Sequence, residues 1–340
     1  MNSKELVCAT LRGQPTPRIP NGSLAVHSCA ALAGHSLHRY TTDAAALAES
    51  VICYFEMFRP DVVWLSADTW VSAEAMGATV GGSDENQPLG GVGGPWVRTA
   101  ADIDRIPAPD VGAQGRYPLM LEALDRIVRA LGDETHVVAC FDQYPFSLAA
   151  ALMGLNEIML KVIDDPAFVQ ALMERCAEYA LAYGTALAAC GADSLSGGDS
   201  PAGLVGPQLY EEIAQPAEAK LIGKLKAATG KPVSLHICGR STPILPLMAR
   251  TGADILEIDQ AVDLTEACSI AGPDMALWGN LDPVRVLANG TPKIVGEASR
   301  AALAAVRQAG HSRFVLSSGC TLAVGTPEDN IRALIAATRG

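Results

Sequence analysis

Residues 231–240 read KPVSLHICGR. The apolar run around Val233 and Leu235 predicts a short buried strand that ends in His-x-Cys-Gly. Side chains two apart on a strand share a face, so His236 and Cys238 are expected to project together at the strand's C-terminal end. Seven other runs have the same character: Ile19–Val26, Asp61–Ser66, His136–Phe141, Asp193–Ser196, Asp254–Ile258, Met275–Trp278 and Arg313–Leu316. With Pro232–His236 they make eight candidates, most of them apolar on both faces as parallel strands are. Helical patterns lie between them at 123–133, 165–191 and 293–310, with apolar residues at three- and four-residue spacing. Asp165-Pro166 is a start signal, and Leu131-Gly132 and Ala309-Gly310 are stop signals. Strand then helix, repeated eight times, predicts a (β/α)8 TIM barrel in one domain spanning residues 1–340. The stretch 71–118, with its GGSDENQPLGGVGGPWV, breaks the alternation. It is an excursion between strands two and three, either a rim or lid of the barrel mouth or a surface loop.

Composition narrows the function. A net charge of −12 offers no long-range attraction to nucleic acid or to an anionic membrane. A charged fraction of only 18% argues against long disordered tails. No apolar run approaches the roughly 18 residues of a membrane span. The start, MNSKELVCATLRG, is a helical pattern rather than a signal peptide. Nine scattered cysteines without a CxxC pair point to reduced thiols, and so to a cytoplasmic protein.

In a barrel of this type chemistry sits at the C-terminal strand ends. Those positions carry Asp68, Asp142, Tyr144, Asp199, His236, Cys238, Glu257, Asn280, Asp282 and Cys320. One imidazole, two thiols and a carboxylate on strands five, six and eight form a donor set suited to Zn2+, whereas Mg2+ and Ca2+ favour oxygen. The expected metal ligands are His236, Cys238 and Cys320, with Glu257 or an exchangeable ligand in fourth place. Three protein ligands and a labile position describe a catalytic site. Taken singly each residue has a plainer reading, since a buried cysteine packs as a small hydrophobe and a carboxylate pairs with a cation. Glu257, Asp199 and Asp68 are the acidic candidates for a part in the chemistry. Asp142, Tyr144 and Asn280 are the candidates for holding a co-substrate. His27, His35 and His38 either line the mouth or lie on loop and helix surfaces, and the second is favoured.

With those residues in place, the chain resembles the uroporphyrinogen decarboxylase superfamily, in particular its methylcobamide:thiol methyltransferase branch. The likeness is carried by SKELVCATLRGQPTPRIP at the start, AEAMGATV (73–80), the HICG segment, WGNLDPVRVLANGTPKIV (278–295) and SSGCTLAVGTPEDNI (317–331). The resemblance implies a TIM barrel. It also implies zinc held by the HxC pair and a downstream GC cysteine, which match His236, Cys238 and Cys320, with Glu257 at the family's glutamate. It further implies a small thiol as substrate and a methyl-corrinoid as co-substrate. No DxHxxG-type element occurs here, so the corrinoid is expected on a separate corrinoid protein or as free methylcobalamin. Whether the chain forms a homo-oligomer is left open.

Beside a change of methyl acceptor to homocysteine, another small thiol or a folate, or the reverse demethylation of a thioether, two rival readings stay in view. A true uroporphyrinogen decarboxylase binds a polycarboxylate and needs cationic contacts. The family's RQAGRY element is replaced here by VHSCAALAGHSLHRY. Asp68 stands where the decarboxylases carry their essential aspartate, but in the context SADTW. The other rival is a non-catalytic partner of a corrinoid protein.

Overall fold

The computed structural model describes residues 1–84 and 86–339. The strands are β1 (Val62–Leu65), β2 (Val80–Gly81), β3 (Leu89–Gly90), β4 (His136–Gln143), β5 (Ser194–Gly198), β6 (Ser234–Ile237), β7 (Ile255–Ile258), β8 (Ala276–Leu281) and β9 (Phe314–Ser318). Seven of them form one parallel sheet in the order β1-β4-β5-β6-β7-β8-β9. Helices connect successive strands, so the sheet is covered and its strands are almost wholly buried, as their unbroken apolar runs require.

The sheet is curled. Val62 and Trp64 from one edge strand and Val315 from the other join Val138, Ile255, Ala276 and Trp278 in one apolar cluster. A flat seven-stranded sheet would hold these edges far apart. Val7 of the first helix, Ser3–Leu11, belongs to the same cluster. That helix starts with a capping box between Asn2 and Glu5. The concave side is therefore filled with apolar side chains near the strand starts. Residues two or four further along the same strands, such as Glu257 and Asn280, share that face nearer the C-terminal ends.

The expected first strand, Ile19–Val26, is not one. Only Asn21 forms a β-bridge, to Leu316 of β9. Pro20 has no N–H to donate, and its carbonyl instead accepts from Leu316 N at 2.9 Å. On the other side, Asp61 N donates to the Asn21 carbonyl at 3.1 Å. The segment thus contacts both edges of the sheet without continuing as a strand. Gly22 is required there, because a Cβ would stand 2.4 Å from Val62 Cβ.

The expected helices are observed as Tyr117–Leu131, Pro166–Ala189 and Pro292–Gln308. Asp165 caps the second by accepting from Phe168 N, and Thr291 caps the third. The 71–118 excursion contains helix Val71–Ala75, the antiparallel β2–β3 ribbon and helix Ala100–Arg105. It returns to the mouth of the sheet through Arg116, which bonds both Asp68 and Glu74. No single helix among the described residues is long and apolar enough to cross a membrane.

Candidate metal centre

The β6 strand delivers His236 inward, and the chain leaves it at Cys238, whose N–H reaches Ser200 Oγ at 3.4 Å. The β9 strand delivers Cys320 through the turn at Gly319. Gly319 N donates to Leu281 O at 2.7 Å, and a Cβ at Gly319 would meet Gln260 N at 2.5 Å. Only glycine lets this turn pack so closely against the exit of β7. The donor atoms of His236, Cys238 and Cys320 consequently lie within 4.8 Å of one another. His236 Nε2 stands 2.8 Å from Cys238 Sγ, and the two sulfurs are 3.5 Å apart. Two sulfurs on a tetrahedral zinc are about 3.8 Å apart, given bonds of about 2.3 Å. The spacing of the pair fits that ion and is far from a disulfide bond of about 2.05 Å.

The imidazole is oriented from behind. His236 Nδ1 meets the Glu257 carbonyl at 3.0 Å, so that nitrogen carries a proton and Nε2 is the nitrogen turned to the sulfurs. Burial works to lower the His236 pKa, but hydrogen bonding to Cys320 and the nearby Glu257 carboxylate outweigh it and lift it to about 9. The hydrogen bond with Cys320 lowers the Cys238 thiol, while that same bond and burial push Cys320 up to about 12. Without a cation, protons on His236 and Cys320 hold the three donors together through hydrogen bonds, an arrangement that a divalent ion would replace with loss of those protons.

Glu257 is not a member of the close group. Its buried carboxylate accepts from Ser196 Oγ at 2.8 Å and from Ser234 Oγ. Burial raises its pKa and the charge of His236 opposes the rise. It is the register neighbour of His236 across the β6–β7 ladder, so it stands beside the ligands, held by two serines that the strand-end survey missed. Ser234 had a signal, since it lies two residues before His236 and shares its face.

The other expected site residues fare differently. Asp68 is fully occupied: Arg116 Nη1 and Nη2 reach its two oxygens at 2.5 and 3.1 Å, and Trp70 N donates at 2.8 Å. Asp199 accepts from Ser147 N at 2.7 Å and Ser147 Oγ at 2.6 Å, which caps the helix Pro145–Met153. Tyr144 donates to Ser234 O at 2.7 Å, and Asn280 donates to the carbonyls of Asp259 and Val262. Asp282 caps the turn that follows β8. His27 meets the Ala67 carbonyl at 2.7 Å, whereas His35 pairs with Glu49 on the surface.

Asp142 alone of the expected co-substrate residues lines a cavity. A cavity of about 460 Å³ is lined by Trp70 and Gly90 on the excursion side and by Asp142, Gln143, Gly198 and Ser200 on the sheet side. The excursion is thus a wall of the mouth. Asp142 holds a φ of 80° and takes Ser72 N at 2.8 Å on one oxygen. Burial pushes its pKa up to about 7. A carboxyl raised in the folded state stabilises the fold fully below its unfolded value near 3.8, and that contribution is lost as pH rises through 7. Asp142→Asn is therefore expected to gain about 1–3 kcal/mol on the native protein between pH 5 and pH 8. Urea midpoints of both proteins at the two pH values check this.

A curled parallel sheet with helices on its outer face defines an α/β protein, and its C-terminal rim carries an N/S donor group that could hold a metal ion. Its family follows from comparison with known proteins. The profile of uroporphyrinogen decarboxylase (URO-D) matches residues 2–340, and the chain belongs to that family. The chain is 30% identical to a methylcobamide:CoM methyltransferase, MtbA, of Methanosarcina mazei, across 98% of this chain and 96% of that one. It is also 30% identical to a uroporphyrinogen decarboxylase of Synechocystis, across 82% and 78%. A solved methyltransferase from Methanosarcina mazei superposes with a TM-score of 0.89 at 24% identity, covering 99% and 98% of the two chains.

Proposed function

We propose that this protein is a zinc-dependent methyltransferase that moves a methyl group between a methyl-corrinoid and a small thiol. The observation that carries the reading is the convergence of His236, Cys238 and Cys320 from strands β6 and β9. The likeness to methylcobamide:CoM methyltransferases over nearly the whole chain supports it. In this reading the sheet functions as a one-domain (β/α)8 barrel, with the Asn21 bridge as a vestigial eighth strand.

His236, Cys238 and Cys320 would hold the ion, and Glu257 is the candidate for the fourth position while no thiol is present. Bound zinc supplies Lewis acidity that keeps a substrate sulfur as thiolate at neutral pH, where a free thiol is mostly protonated. The Glu257 carbonyl keeps the proton on His236 Nδ1, and so keeps Nε2 available. Apolar side chains beneath the site exclude water from below. The excursion wall, tied down by Arg116, frames the approach of the substrates. In the overall reaction the methyl passes to sulfur, the cobalt–carbon electron pair stays with cobalt as cob(I)amide, and the thiol proton goes to solvent.

The decarboxylase alternative draws support from the Synechocystis relative. It leaves the three-donor group without a purpose, and it asks of Asp68 a role while both its oxygens are engaged by Arg116. A non-catalytic partner of a corrinoid protein would likewise have no use for the donors. Incubating the protein with methylcobalamin and a panel of thiols, and following the cobalt(III)-to-cobalt(I) absorbance change, tests the reading. Turnover is expected with at least one thiol, together with about one zinc per chain and about one proton released per thiol bound. A protein that holds no zinc and turns over no thiol would exclude the proposal.

A further inference from the structure

We infer that the acceptor pocket is built for a short thiol that carries an ammonium group, and that Asp142 and Gln143 receive that group. The inference rests on the thiol-methyltransferase reading and adds the class of thiol.

The cavity and the donor group share a wall. Gly198 is the register partner of Gln143 on one side and of His236 on the other. Two strand spacings put Gln143 about 10 Å from His236 along the sheet. With both backbones that close and both side chains turned to the mouth, a short thiol is the scale of ligand that reaches from the donor group into the cavity.

The far end offers acceptors. Asp142 Oδ1 and Gln143 Oε1 are buried and make no hydrogen bond among the described residues. Gln143 Nε2 donates to the Thr69 carbonyl, which leaves the amide oxygen as the free end. Two buried, unpartnered acceptors on residues that line one cavity suit a ligand with several N–H donors, and an ammonium has three. A sulfonate or carboxylate would bring further acceptors to the same place and leave all of them unpaired.

Anion-binding groups at this wall are already in use or lie outside it. No lysine, arginine or histidine lines the cavity among the described residues. The helix Pro145–Met153 begins here, but its first-turn donors at Ser147 are taken by Asp199. Arg116 is spent on Asp68 and Glu74. Arg98 is exposed at the outer rim, where its guanidinium lies beside Gly94.

Calorimetric titration of the zinc-loaded full-length protein with cysteamine, homocysteine, 2-mercaptoethanesulfonate and 3-mercaptopropionate tests the assignment. The two amino thiols are expected to bind at least ~10-fold tighter than the two purely anionic ones, the effect of one hydrogen bond to a charged group. Asp142→Asn and Gln143→Met should each reduce that preference several-fold with zinc content unchanged. A tighter fit for the sulfonate, as a swing of Arg98 into the pocket would give, overturns the inference. So does a preference untouched by both substitutions. The thioethers methionine, S-methylcysteamine and 2-(methylthio)ethanesulfonate need no thiolate, and their effect on the melting temperature reads the pocket independently of zinc. A protein that takes up no zinc when it is offered, yet is stabilised by the amino thioethers alone, would defeat the zinc reading and leave the pocket assignment standing. Equal stabilisation by all three would defeat the assignment whatever the zinc content.

Discussion

Replacing Cys320 by serine is expected, on the proposed zinc-dependent reading, to leave the fold intact and to abolish zinc binding. The side chain is half-buried and loses only the difference between sulfur and oxygen, so packing changes little. The chemistry changes much more, because a serine hydroxyl does not ionise near neutral pH and is a poor ligand beside one thiolate and one imidazole. Zinc affinity should fall by about 100-fold or more, since the binding energy of such a site is divided among few ligands. Methyl transfer to any thiol should fall by at least the same factor, as a sulfur left in solution stays mostly protonated. Zinc content after dialysis against a chelator, circular dichroism and methylcobalamin turnover together measure the three parts. His236→Ala should behave alike. Glu257→Gln should weaken zinc far less than Cys320→Ser and slow turnover by roughly 10-fold, because its carboxylate is the candidate fourth ligand yet lies outside the close donor group. A Cys320→Ser protein with full zinc content would remove this cysteine from the site.

The parts of the molecule that were legible in the sequence are those governed by short-range pattern. His236 and Cys238 are two apart on a strand, and a period of two is a local property of the backbone. The ends of β6, β7 and β9 were likewise readable from apolar runs stopped by polar residues, and they brought Cys320 to the same rim. Ile19–Val26 has the apolar content of a strand, yet Pro20 and the close approach of Gly22 to Val62 prevent a ladder from forming. Strand pairing there depends on neighbours that a single segment does not reveal. Asp199 and Asp68 were correctly placed at strand ends, but a carboxylate's employment is decided by what faces it. Ser147 and Arg116 come from elsewhere in the chain, the latter 48 residues from Asp68. The two hydroxyls on Glu257 come from two neighbouring strands in the same way. Polar partnership is a tertiary property, and this is why the convergence of the three donors was readable while the roles of the surrounding acids were not.

Arg116→Ala is expected to cause the largest loss of stability of any single change at the mouth. The guanidinium bonds both oxygens of Asp68, reaches Glu74 Oε2 at 2.5 Å and touches the Thr41 carbonyl at 3.3 Å. The Asp68 side chain is 0% exposed and that of Arg116 only 11%. Alanine would leave a buried carboxylate with the Trp70 N–H as its remaining hydrogen bond. Removing one partner of a buried pair costs about 3–5 kcal/mol, most of it from the charge left without a counterion. A lysine at this position keeps the charge but not the planar fork, so Arg116→Lys should recover about half of the loss. Adding Asp68→Asn to the alanine variant should restore more than its own effect in the wild-type background, because the neutral amide no longer needs the cation. The loss has a functional side, since Arg116 ties the excursion to the sheet and Trp70 and Gly90 wall the cavity. Thiol binding should weaken several-fold in Arg116→Ala while zinc content stays constant, because none of the three candidate ligands is hydrogen-bonded to this pair. Urea unfolding of the four proteins, with zinc and thiol titrations beside it, tests both sides. A stability of Arg116→Ala within about 1 kcal/mol of wild type, the worth of an exposed ion pair, would mean that Asp68 is hydrated rather than sealed, and that the excursion is held to the mouth by packing alone.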